Sequence, residues 1–144
     1  MTGIKIDGKI IAQTVKDRVK KAADELKTEG INPCLATVLI GNNAASATYV
    51  KNKHKSCEEV GIATKDHKLD ESATQQELNN IIDELNADVS VHGILVQLPL
   101  PKHLNEFATT SRISPIKDVD GLTPHNAGLL AMKKAALVAC TPSG

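Results

Sequence analysis

Tyr49 and Lys53 stand four residues apart, and Ser46 and Ser56 continue the same spacing on either side of them. On a helix these four positions form one polar ridge, so a phenol and an amine share a face. A lysine partly desolvated beside an aromatic ring has its charged form disfavoured, and an amine that can become neutral can carry protons. The same pattern also describes a solvated helix face with an ordinary Tyr–Lys contact. In the stretch HGILVQLPLP, from His92 to Pro101, an apolar run ends in a primary amide and two prolines. A short run closed in this way reads as a strand buried on both faces. Pro99 and Pro101 have no backbone donor, so sheet pairing stops there and Gln97 falls at the carboxyl end of a central strand. That edge of an open α/β sheet is where ligands bind. The amide there either satisfies loop backbone or orients a functional group.

Asp118 and Asp120 flank Val119 ahead of Gly121. Two carboxylates in such a loop can hold a cation, recognise a guanidine-like amide edge, or cap the next turn. The spacing does not match an EF-hand, which needs further oxygen ligands and a terminal Glu. His54, His67, His92, His103 and His125 form no HxxxH or HExxH pair, and His54 and His92 read as structural. Cys34, Cys57 and Cys140 contain no CxxC pair, so they read as buried reduced thiols and no metal site is expected. Gly41 opens GNNAAS, which lacks the second and third glycines of a dinucleotide turn, and no P-loop occurs.

The elements that must position these groups are legible from periodicity. A short alternating piece at Ile4-Lys5-Ile6 reads as an edge strand, and Asp7 as the N-cap of a helix over 8–29. Ile11, Val15, Val19, Ala22 and Leu26 give that helix one apolar stripe. CLATVLI, over 34–40, is a second buried strand. It leads into a helix over 43–60 with Ala47, Val50, Cys57 and Val60 facing the core. The segment 63–69 is more polar and belongs nearer a sheet edge. Thr74 and Glu77 form a capping box for a helix reaching about residue 86, with Leu78, Ile81, Ile82 and Leu85 at helical spacing. Short helices are expected over 105–111 and from Thr123-Pro124 to about residue 131. The acidic, glycine-broken 117–121 segment is expected to stay out of the core. A last strand over 135–140 and a helix start at Thr141-Pro142 close the chain. Helices alternating with buried strands imply an α/β domain with a mostly parallel sheet.

A chain of 144 residues is read as one domain, large enough to bury a core without staples. Seventeen basic residues balance seventeen acidic ones, which gives no support for a nucleic-acid or membrane partner. With one Tyr, one Phe and no Trp, the core must be aliphatic and Tyr49 becomes conspicuous. No apolar run approaches a bilayer span, and the reading is of a soluble cytoplasmic protein.

Taken together, SATYVKNK at Ser46–Lys53, HGILVQLPLP, KDVDGL with Asn126-Ala127-Gly128-Leu129 behind it, and CTPSG at the end occur in the order of one family. The chain resembles the N-terminal catalytic domain of the bifunctional methylenetetrahydrofolate dehydrogenase / methenyltetrahydrofolate cyclohydrolase. The resemblance implies a three-layer fold like the N-terminal domain of amino-acid dehydrogenases, with a small-molecule folate as substrate. It implies that Lys53 transfers the proton of the cyclohydrolase step, with Gln97 hydrogen-bonded to it and tuning its charge state. Tyr49 would stack on the folate ring system, and Asp120 would accept from the amino and ring N–H groups of the pterin. Ser46, Leu98 and Pro99 would line the same cleft.

The family continues past CTP-x-G into a Rossmann domain that binds NADP, so this 144-residue sequence reads as truncated before the dinucleotide site. Dehydrogenase activity is therefore not expected from it alone, and a homodimer is expected of full-length members. Two other readings remain open at this level: a non-catalytic folate-binding module, and the substrate domain of another dehydrogenase.

Overall fold

The computed structural model describes residues 7–134 together with 137 and 138. Its elements run α1 (Gly8–Thr28), β1 (Cys34–Ile40), α2 (Ala44–Glu59), β2 (Ala63–Leu69), α3 (Gln75–Ala87), β3 (Gly93–Val96), α4 (Glu106–Arg112) and α5 (Pro124–Ala131). Each of these lies where periodicity and caps put it. The expected edge strand at Ile4-Lys5-Ile6 and the helix start at Thr141-Pro142 lie outside the described residues. So does the expected strand over 135–140, apart from Leu137 and Val138.

The three strands are parallel, in the order β2-β1-β3. Cys34 pairs with Ala63 and Ile40 with Leu69, while Leu35 to Val38 pair with Gly93 to Val96. β1 is therefore the central strand, not β3 as its burial suggested. The chain crosses through α2 to one side of β1 and returns through α3 to the other, which leaves the first strand in the middle. β3 is nonetheless buried along its whole length. Its outer edge is covered by a parallel bridge from Ile94 to Asp118, with the Ile94 N–H donating to the Lys117 carbonyl at 2.7 Å. The acidic 117–121 segment thus joins the sheet margin instead of staying clear of the core.

Strand alternation sends Ala36, Val38 and Ile40 to one face, where they pack with Ile94, Val96 and the α3 residues Leu78, Ile82 and Leu85. Thr37 points to the opposite face and meets His54 of α2. The sheet therefore lies between α3 and α2, the three-layer arrangement expected. α3 begins at the predicted capping box, with the Thr74 N–H bonded to Glu77 Oε2 at 2.7 Å and the Glu77 N–H to Thr74 Oγ1 at 3.2 Å.

Two apolar stripes differ from expectation. In α2, Ala47 is exposed and Ser46 is buried, so the sheet-facing stripe is Ser46, Val50, His54, Cys57 and Val60. The Asn43 cap fixes the rotation of the first turn, its side chain accepting from the Ser46 N–H at 3.0 Å. In α1, Ile11, Val15 and Leu26 are exposed and only Ala23 is fully buried.

Candidate active site

Lys53 and Gln97 arrive from different elements and meet. Lys53 Nζ donates to Gln97 Oε1 at 3.2 Å, from α2 to the residue after β3. Gln97 is held by both ends. Its backbone N–H donates to the Val38 carbonyl at 2.9 Å, the last rung between β1 and the chain leaving β3. Its side-chain Nε2 donates to the Leu98 carbonyl at 2.8 Å, which aims Oε1 at the amine. Of the two roles open to this amide in the sequence, it performs both.

The two carboxylates of the 117–121 loop separate cleanly. Asp118 is 1% exposed and takes the capping role. It accepts from the N–H groups of Leu122 at 3.3 Å and Thr123 at 2.8 Å and from Asn126 Nδ2 at 2.9 Å. Burial acts to raise its carboxyl, but these hydrogen bonds outweigh burial and hold it below the usual carboxylate range. Asp120, two residues on, is half-buried and makes no hydrogen bond among the described residues. Burial pushes its carboxyl up, Lys53 pulls it down and Asp118 pushes it up again. A desolvated acceptor without a protein donor, within the field of a lysine, is suited to a ligand that brings N–H groups of its own.

Asp118 thus anchors the loop that presents Asp120. Asp118→Ala leaves the buried Thr123 N–H without its acceptor and the Asn126 Nδ2 with only the Pro115 carbonyl, and should cost about 1–3 kcal/mol in a urea unfolding titration. Because the folded-state value lies below the ordinary 3.8, Asp118 adds stability that is full at neutral pH. That contribution is lost as pH falls below the ordinary carboxylate value, so the wild type and Asp118→Ala should converge in acid.

The remaining predicted residues are placed around this pair. Tyr49 lies one turn before Lys53 and is 64% exposed, leaving its ring free for a planar partner. Ser46 is buried in the sheet-facing stripe. Leu98 packs on the core, and its carbonyl serves Gln97. Pro99, after a cis Leu98–Pro99 peptide, is exposed and lines a separate crevice of about 370 Å³ with Gly41, Asn43, Glu71 and Pro101. The structure thus joins Lys53 to Gln97, with the Lys53 charge acting on Asp120 and Tyr49 one turn before Lys53 on α2, while Ser46 is buried and Pro99 lines the crevice beside Gly41.

Sequence reading missed Gly93 and Val119. Both line an apolar cavity of about 300 Å³ with Leu35, Cys57, Ile62 and His92. A Cβ on Gly93 would lie 2.5 Å from Val119 Cγ1, so the loop carrying Asp120 rests directly on a strand position without a side chain. A glycine inside an otherwise apolar strand was the available signal for such a close approach. Gly93→Ala should push Val119 outward and destabilise the domain by about 1–3 kcal/mol. The amide resonances of 119–121 should shift with it in an NMR comparison.

His54 is hydrogen-bonded inside the fold, and His92 sits at the start of β3, where its N–H donates to the Cys34 carbonyl at 2.9 Å. Cys34 and Cys57 are free, and burial raises both thiols. Among the described residues no group of three His, Cys, Asp or Glu could hold a metal ion. No helix among them is long and apolar enough to cross a membrane. The turn after β1 does not suit a dinucleotide pyrophosphate. Gly41 takes φ 77°, and Asn43 then occupies the Ser46 N–H, a leading donor of α2, with its own side chain.

The fold and these contacts together define a class: a parallel α/β domain in which a lysine of one flanking helix is hydrogen-bonded to an amide at a strand end, with a carboxylate that makes no hydrogen bond among the described residues within the field of that lysine. The chain belongs to the tetrahydrofolate dehydrogenase/cyclohydrolase catalytic domain family, whose model matches residues 6–120. It is 80% identical to the bifunctional protein FolD of Nitrosopumilus maritimus over its whole length, which is 50% of that protein. Among solved structures, FolD methylenetetrahydrofolate dehydrogenase/cyclohydrolase from Campylobacter jejuni is similar with a TM-score of 0.93 and 46% identity, over 95% of this chain and 49% of that one. The N5,N10-methylenetetrahydrofolate dehydrogenase-cyclohydrolase of Trypanosoma brucei, complexed with NADP cofactor and inhibitor, is similar with a TM-score of 0.93 and 34% identity. That likeness covers 99% of this chain and 50% of that one. The chain spans about half the length of the curated relatives it matches.

Proposed function

We propose that residues 1–144 are the folate-binding catalytic domain of an enzyme of one-carbon metabolism, and that its cleft hydrolyses 5,10-methenyltetrahydrofolate to 10-formyltetrahydrofolate. The observation that carries this reading is the 3.2 Å contact of Lys53 Nζ with Gln97 Oε1 beside the unpartnered Asp120. Asp120 accepts from the amino and ring N–H groups of the pterin, and Tyr49 stacks on the planar ring system. The one-carbon bridge then faces Lys53. The Lys53 amine takes a proton as water adds to the methenyl carbon. The adduct opens when its C–N5 bond breaks, N5 receives the proton from Lys53, and the adduct hydroxyl gives its proton to solvent. Gln97 contributes by orientation, since an acceptor fixed at both ends holds the amine on one side of the cleft. Leu98 supports this by holding the Gln97 amide. Ser46 and Pro99 bound neighbouring surfaces.

The same cleft would hold 5,10-methylenetetrahydrofolate for oxidation with NADP, which supplies the hydride acceptor when bound. The described residues do not fit that dinucleotide, so this domain's share of the oxidation is to bind and orient the folate. We assign the protein to the cytoplasm and to a homodimer, on the likeness to the family. Titrating the chain with a tetrahydrofolate analogue tests the reading: saturable binding that weakens on Asp120→Asn supports it. Equal affinity in both proteins overturns it.

A further inference from the structure

We propose that Thr37, His54 and Asp66 form a clasp that positions α2 on the sheet and thereby holds Lys53 against Gln97. The inference rests on the role given to Lys53 above. α2 is thinly attached: on its sheet-facing stripe, Val50 and Val60 are the buried apolar residues and His54 stands between them. Opposite, β1 is apolar except for Thr37, which is 1% exposed. Thr37 and His54, one polar residue from each stripe, face each other. The Thr37 hydroxyl donates to Asp66 Oδ1 at 2.6 Å. His54 Nε2 lies 2.7 Å from the same oxygen and 3.1 Å from Thr37 Oγ1. A carboxylate only accepts, so Nε2 carries a hydrogen and donates to Asp66. One oxygen of β2 therefore receives a donor from β1 and a donor from α2.

Aliphatic contacts are non-directional and tolerate sliding, whereas hydrogen bonds fix distance and angle. Thr37 is buried, His54 is partly buried and the Asp66 side chain is 51% exposed, so desolvation of the first two and solvent screening of the third leave these bonds little net stability, and their value is positional. His54 follows Lys53 directly in the chain, so what holds one backbone position holds the other. The Lys53–Gln97 contact, at 3.2 Å, is already near the long end of a hydrogen bond and would not survive a slide of about 1 Å along the sheet. Ring stacking by Tyr49 tolerates such a slide better than proton transfer does. Thr37, His54 and Asp66 are positioning residues, acting through Lys53.

The test measures kcat, KM and Tm for methenyltetrahydrofolate hydrolysis. The variants are Thr37→Val/His54→Leu, which replaces the buried hydroxyl and the partly buried ring by apolar groups, and Thr37→Val alone, which keeps the shape of the side chain. The expected result is a fall in kcat of about ten- to a hundredfold with KM changed less than about threefold. Tm should be unchanged or raised, and Thr37→Ser should retain the wild-type rate. Should the double variant not fold, Thr37→Val carries the test, with a smaller fall in kcat expected. An unchanged kcat, a loss confined to KM, or a kcat that declines only as Tm declines overturns the proposal. Lys53→Met separates the two levels. If it abolishes hydrolysis while the clasp variants behave as wild type, the clasp alone is wrong; if Lys53→Met is itself silent, the reading of the site fails.

Discussion

Lys53→Met is expected to lower the turnover of methenyltetrahydrofolate hydrolysis by about 10²–10⁴-fold, the range for removing a positioned proton-transfer group. Methionine keeps the length and apolar stem of lysine, so the helix face and the packing of the stem survive while the amine is lost. Lys53 makes one side-chain hydrogen bond among the described residues, to Gln97, and that acceptor is also held by its own Nε2 at Leu98. Stability should therefore change little, and folate binding through Asp120 and Tyr49 should persist. A steady-state assay paired with an analogue titration reads both. Turnover within a factor of two of wild type would remove Lys53 from the chemistry.

Asp120→Asn should move two properties in opposite directions. Burial, the Lys53 charge and Asp118 together leave the Asp120 carboxyl above its ordinary 3.8, with burial the leading cause. A carboxyl raised on folding binds more protons in the native than in the unfolded state, so its effect on stability becomes less favourable as pH rises through the ordinary carboxylate range. At neutral pH the ionised group is a cost, and Asn removes it. Thermal unfolding at pH 7 should show a gain of order 0.5 kcal/mol, kept small because the group is only half-buried. The gain should vanish in acid, where Asp120 is already protonated. Folate affinity should meanwhile fall by about ten- to a hundredfold, since a neutral amide cannot accept from two N–H donors as a carboxylate does. A variant that loses stability and keeps its affinity would contradict both halves of the argument.

Legibility in the sequence divided along physical lines. Caps and strand periodicity are local, and Asp7, Asn43, Thr74, Asn105 and Thr123 all cap where side-chain chemistry required. The meeting of Lys53 and Gln97 was implied by the family resemblance, with which a ridge on one element and a strand end on another are compatible. Residue pattern alone left the division of labour between Asp118 and Asp120 open, and only the resemblance singled out Asp120, because the division depends on which carboxylate faces the Thr123 and Asn126 donors. Nor could pattern show that β1, not β3, is central, since burial on both faces does not distinguish strand order when a loop covers the outer edge. The rotation of α2 was misjudged by one residue at Ser46 and Ala47, where a small polar and a small apolar side chain carry almost no pattern. His54 was read as structural, and its hydrogen bonds agree. The signal that went unused was Thr37, one hydroxyl inside CLATVLI.

The central claim is that Lys53, Gln97, Asp120 and Tyr49 serve a single folate. A crystal structure of the chain with a stable 5,10-bridged folate analogue tests it most directly. The account predicts the aminopyrimidine edge hydrogen-bonded to the Asp120 carboxylate, the ring system against Tyr49, and the bridging carbon within about 3–3.5 Å of Lys53 Nζ or of a water bound to it. An analogue seated in the crevice of Gly41, Glu71 and Pro101, with Lys53 and Asp120 untouched, would contradict it.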